Sequence, residues 1–161
     1  MIKIYDIKDE DFVNYKVPSM FIQMGRCAYK CCREAGIPLD SCQNHQLHLM
    51  KKISVDADDL YRRYVSNPIS KAVVLGGLDP IDTFEETLEL VTCFRMNGCN
   101  SDIVIYTGRT EEEIPEQIDK LKKFKNIIIK FGRYVPNQDK HHDDVLGVDL
   151  ISDNQYGKRI S

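Results

Sequence analysis

Residues 71–110 read KAVVLGGLDPIDTFEETLELVTCFRMNGCNSDIVIYTGRT, and this stretch decides the fold. Lys71 to Leu75 is a short apolar run that stops at Gly76-Gly77, the pattern of a buried strand running into a loop. Asp82-x-x-Glu85 has the form of a capping box and predicts a helix start. Phe84, Leu88, Val91 and Phe94 then recur at helical spacing and predict one apolar face, with a stop near Asn97-Gly98. Ile103 to Tyr106 predicts a second buried strand that ends at Thr107-Gly108.

The same alternation continues on both sides. Thr110-x-x-Glu113 predicts another helix start, with Pro115 in the first turn and Ile114, Ile118, Leu121 and Phe124 on one face. Asn126 to Ile129 begins a further strand, and Val145 to Ile151 predicts a last one. Upstream, Met20 to Met24 reads as the first strand of the sheet, and Asp56 to Val65 as a short helix. Strands alternating with helices imply crossover units around a parallel sheet. The expectation is one α/β domain over residues 1–161, with five or six strands. It takes the form of a partial (β/α) barrel or an open, mostly parallel sheet with flanking helices.

Composition narrows the class. At 161 residues, with 42% hydrophobic and 29% charged side chains, the chain fits one globular domain and excludes disorder, collagen and coiled coil. No apolar run approaches the roughly 20 residues of a membrane helix. Met1 to Asp6 followed by the charged run Lys8 to Asp11 lacks the core of a secretory signal, so a cytoplasmic protein is expected. The net charge of −3 gives no sign of a nucleic-acid or membrane surface.

Six cysteines stand out, four of them within 16 residues: Cys27, Cys31, Cys32 and Cys42. In a reducing compartment such a cluster reads as metal or redox ligands and not as disulfides. Cys93 lies in an apolar helical pattern and reads as core packing, and Cys99 as a turn residue. Cys27 follows the first expected strand, Gly76-Gly77 the second and Thr107-Gly108 the third, and sites of open α/β sheets gather at such carboxyl ends. A closed zinc site or a ferredoxin cluster wants four ligands. Three thiolates leave one metal position open, as catalysis requires.

Cys27-x3-Cys31 followed by Cys42 resembles a stretched form of C-x3-C-x2-C, the signature of the radical S-adenosylmethionine (SAM) superfamily. Cys42-Gln43-Asn44 resembles the C-[HQ]-N ending found in activating proteins of anaerobic ribonucleotide reductase. Gly76-Gly77-Leu78-Asp79-Pro80 resembles the family's G-G-E-P loop. Ile105-Tyr106-Thr107-Gly108-Arg109-Thr110-x-Glu112 resembles its Y-T-G-x-T-x-E stretch, and Ser152-Asp153-Asn154-Gln155 its S-x-N-Q segment. Several departures mark a divergent branch. Ten residues, Cys32 to Ser41, separate the second and third cysteines and must loop out. Ser41 replaces the aromatic residue expected near the adenine, a place that Tyr29 or another ring is expected to take. Asp79 stands for the usual glutamate, and Lys130-Phe131-Gly132 for a D-G pair.

The resemblance implies that Cys27, Cys31 and Cys42 hold a 4Fe-4S cluster and that SAM lies against Tyr29, Gly76, Gly77, Asp79 and Thr107. It implies an oxidoreductase that forms a 5′-deoxyadenosyl radical and installs a glycyl radical on a large partner under anaerobic conditions, the partner being an anaerobic ribonucleotide reductase. A flavodoxin or ferredoxin would donate the electron. Soft thiolates suit such a cluster, the glycines permit close backbone approach, and Asp79 suits a ligand ammonium. Two alternatives remain: radical modification of another protein or peptide, and a non-catalytic zinc or iron–sulfur module. A zinc site would use His45 and His48 with Cys27 and Cys31. Cys32 adjoins Cys31, and vicinal cysteines rarely share one cluster. His141-His142-Asp143-Asp144 reads as a solvated polar loop, and Lys120, Lys122, Lys123 and Lys125 as the solvent side and end of a helix.

Overall fold

A computed structural model describes the whole chain, Met1 to Ser161. Its centre is four parallel strands in the order β2 (Ser19–Met24), β4 (Ala72–Gly77), β5 (Ile103–Tyr106) and β6 (Ile127–Phe131). β1 (Ile2–Asp11) and β3 (Ile53–Val55) extend one edge, and β9 (Tyr156–Arg159) the other. β1 and β9 run antiparallel to their neighbours, so the seven-stranded sheet is mostly parallel. It is an open sheet and not a closed barrel.

Three helices cover one face: α3 (Ala57–Val65), α4 (Phe84–Met96) and α5 (Pro115–Leu121). Leu60, Leu90, Val91, Phe94, Ile118 and Leu121 pack there on Val73, Leu75, Ile103, Ile105, Ile127 and Ile129. Burying each such side chain is worth about 1.5–3 kcal/mol. Alternate residues of the same strands, Ala72, Val74, Val104 and Ile128, point the other way. They pack against Tyr15 and against Leu146 and Leu150 of a hairpin, β7 (His141–Asp143) and β8 (Val148–Leu150). Both faces are covered, which is why these strands read as unbroken apolar runs. Two short helices, α1 (Lys30–Ala35) and α2 (His45–Leu49), lie between β2 and β3. No helix is long and apolar enough to cross a membrane.

Several expectations need correction. The stretch 145–151 does not join the main sheet, because Val148–Leu150 pairs with β7. β9 takes that edge instead, with little apolar signal of its own. The charged N-terminus is β1, whose Ile2 and Ile4 point inward while Lys3, Asp6, Lys8 and Glu10 face solvent. Asp82 and Glu85 do not cap α4: Asp79 caps a 3-10 turn, Pro80–Thr83, that precedes it. α4 buries Thr87, Leu90, Val91 and Phe94, a face rotated from the expected one, so Phe84 and Leu88 are only partly covered. Cys93 is half-buried at the rim of the core, its Sγ 3.1 Å from Asp58 Oδ1. His141–Asp143 is strand, and buried Asp143 accepts from the backbone N–H of Leu146 and Gly157 at 2.8 and 2.9 Å.

Candidate metal centre

The carboxyl ends of β2, β4, β5 and β6 converge on one side of the sheet. The loop after β2 is pinned at its start. Arg26 and Asp79 exchange backbone hydrogen bonds, both at 3.2 Å. Gly25 permits this crossing: its φ is +94, and a Cβ there would lie 2.4 Å from the Asp79 carbonyl. Two residues on, the Cys27 Sγ accepts from the Tyr29 N–H at 3.3 Å. Tyr29 itself is left-handed, with φ 59, and turns the chain into α1, which carries Cys31 and Cys32. Gly36 ends α1, a 3-10 turn spans Leu39–Ser41, and Cys42 follows. The ten-residue insertion therefore folds back on itself.

The result is a cavity of about 340 Å³ lined by Cys27, Cys31, Cys32 and Cys42 together. Gly77, Asp79, Thr107, Lys130, Tyr106 and Tyr134 line it too. Cys32 is buried and lines the cavity together with Cys42. Burial pushes both the Cys32 and Cys27 thiols up, and the nearby thiols add to this. No three His, Cys, Asp or Glu side chains converge on a single ion position. Four soft thiols border this one cavity, a donor set that suits an iron–sulfur cluster.

Asp79 joins two of the loops. Its Oδ1 accepts from the Ile81 N–H at 3.0 Å, and its Oδ2 from the Thr107 hydroxyl at 2.9 Å and the Gly108 N–H at 3.0 Å. Burial pushes this carboxyl up, and the bonds from Gly108, Thr107 and Ile81 pull it back. Thr107 is thus committed to Asp79. Gly77 faces the cavity with φ +89, but a Cβ there would meet Leu47 at 2.9 Å and Gln23 at 3.1 Å. Gly76 lies inside β4 against the Phe21 ring and does not line the cavity.

Tyr29 also lies outside the cavity lining. Its ring stacks on His48, centroids 3.9 Å apart and planes 18° apart, and its hydroxyl meets His45 Nδ1 at 2.9 Å. The two histidines thus turn to Tyr29 and not to the thiols. The rings that do line the cavity are Tyr106 and Tyr134.

The sequence marks Lys130 only as a departure from a motif. It is 9% exposed, and its Nζ donates to the Gly132 carbonyl at 3.0 Å. Burial holds its pKa down to about 8, against the opposing pull of Cys31 and Asp79. A lysine inside the apolar run Ile127–Phe131 was the signal for it. Ser152 and Gln155 brace the loop after β6. Gln155 Oε1 accepts from the N–H groups of Ile151 and Ser152, both at 3.2 Å, and Asn154 donates to the Arg133 carbonyl at 2.8 Å.

The model of one protein family, the 4Fe-4S single cluster domain, matches residues 20–155. The match spans nearly the whole chain and every residue of the cavity, so the chain belongs to this family and is a 4Fe-4S cluster-binding domain. No curated protein matches the chain.

Proposed function

We propose that this protein is a radical SAM enzyme of the small activase type. On this reading Cys27, Cys31 and Cys42 hold the cluster, and the cavity beside them takes SAM. One observation carries it: despite the insertion, the three cysteines of the stretched signature and the loops after β4 and β5 border one cavity. When bound, the cluster and SAM supply a 5′-deoxyadenosyl radical after one-electron cleavage of a carbon–sulfur bond.

The chain's own residues bind and orient. Lys130 Nζ makes one hydrogen bond, to Gly132, which leaves N–H groups for a ligand carboxylate. Oδ1 of Asp79 accepts a single hydrogen bond and retains acceptor capacity for a ligand ammonium. The ring of Tyr134 suits the adenine better than that of Tyr29, which is stacked on His48. The hydrogen donor is a glycine of a large protein, an anaerobic ribonucleotide reductase by resemblance, and a flavodoxin or ferredoxin supplies the electron.

Burial of Cys32 beside Cys42 favours a second reading, a cluster held by four thiolates and without radical chemistry. Anaerobic reconstitution separates the two. The first reading expects full iron in Cys32→Ala, loss of iron and visible absorbance in Cys27→Ala, Cys31→Ala and Cys42→Ala, and 5′-deoxyadenosine with methionine after dithionite and SAM are added. A loaded cluster that yields no 5′-deoxyadenosine, with or without candidate partners, leaves the second.

A further inference from the structure

We infer that Glu113 and Arg133 are positioning residues that clamp the cysteine helix and set the charge around Cys31; this rests on the cluster reading above. α1 has six residues, no side-chain cap and one buried side chain, Cys32. Helices shorter than roughly 12–15 residues are marginal on their own. Something outside α1 must therefore hold Cys31 in place.

The structure supplies a ring of four charges. Lys30 and Glu34, one turn apart on α1, face the loops after β5 and β6. Glu113 Oε1 accepts from Lys30 Nζ at 3.3 Å and from Arg133 Nη2 at 2.6 Å. Arg133 Nε reaches Glu34 at 3.4 Å, and Lys30 closes the ring with Glu34 at 4.0 Å. The second oxygen of Glu113 accepts from the Thr110 N–H at 2.9 Å, which anchors it to the loop. Lone exposed ion pairs contribute little. This one is different, because it is a network and the Arg133 side chain is 12% exposed.

Gly108 brings the ring close to the thiol. A Cβ on Gly108 would lie 3.5 Å from Arg133 Cγ and 3.7 Å from Cys31 Sγ, so the two side chains are neighbours across a residue that has none. Cluster potentials respond to nearby charge and hydrogen bonding. Removing the Glu113 carboxylate takes a negative charge from the surroundings of Cys31, leaves Arg133 with Glu34 as its remaining partner, and favours the reduced, more negative cluster. Removing the guanidinium does the reverse. Both changes free α1.

The test uses reconstituted full-length protein, with iron release to a chelator and the midpoint potential as readouts. Glu113→Gln and Arg133→Gln should each release iron several-fold faster. The potential should rise in Glu113→Gln, fall in Arg133→Gln and return near the parent's in the double variant. If a Gln variant cannot retain iron long enough, Arg133→Lys keeps the charge without the fork and should release iron faster at a near-parent potential. Unchanged release in both Gln variants, or potentials that move the same way, overturns the inference while the proposed function stands. A parent chain that takes up no cluster overturns both.

Discussion

Lys130 carries its ammonium into a nearly closed setting, and the consequence is a pH effect of definite sign. Its folded pKa, about 8, lies below that of an unfolded lysine, near 10.4. Below pH 8 both states are charged and the burial penalty is fully present. As pH rises from about 8 towards 10.4 the unfolded chain binds more protons, so stability rises. At about 1.4 kcal/mol per unit the penalty is roughly 3 kcal/mol, less the hydrogen bond to Gly132. Lys130→Met should therefore stabilise the cluster-free chain by about 1–2 kcal/mol at pH 7 and flatten the rise above pH 8. Urea unfolding of both proteins at pH 7 and 9.5 reads this. Equal pH slopes would reject it. Asp79 gives the opposite kind of change. Its two oxygens accept three donors, so the amide of Asp79→Asn must turn an NH2 towards one of them. The expected loss is about 1–3 kcal/mol, a melting temperature lower by several degrees in a domain of this size.

At the scale of the elements, the crossing of the loops after β2 and β4 is the fixed point of the site. Gly25→Ala should cost about 3 kcal/mol or more and abolish cluster retention, because its Cβ would collide with the Asp79 backbone, which cannot swing aside. Gly36→Ala is the control. Its φ is +66 but nothing lies within 4 Å, so only the left-handed strain of about 1 kcal/mol applies. Melting temperature and iron content measure both. The same contrast explains what was legible beforehand. β4, β5 and β6 show in the sequence because they are covered on both faces. β1 does not, since its solvent face carries Lys3, Asp6, Lys8 and Glu10 and masks the inward Ile2 and Ile4. α1 and α2 lack apolar periodicity, being held by charges and by Tyr29. The cysteine spacing and the glycine and threonine loops marked the cavity wall. Lys130 hid inside an apolar run, and the true neighbours of Tyr29 depend on how the insertion folds His48 against it.

Taken whole, the molecule has two regions of unequal stability. Between Cys27 and Met50 only Cys32 and Leu47 are buried, whereas β4 to β6 are buried almost throughout. Local opening is cheapest where few apolar contacts must break. The sheet and its three helices need no cluster, for their contacts lie away from the thiols. A bound cluster would tie Cys27, Cys31 and Cys42, the two sides of the insertion, to one rigid body. Ligands that bind only the folded form stabilise the part they bind. Amide hydrogen exchange should therefore show residues 27–50 exchanging fast in the cluster-free chain and far more slowly after anaerobic reconstitution. The amides of β4, β5 and β6 should keep the same protection in both. Protection of residues 27–50 that is high without the cluster and unchanged by it would mean that the ion pairs and the Tyr29–His48 stack already fix the loop. Loss of protection in the sheet on cluster removal would mean that the site supports the fold, and not the fold the site.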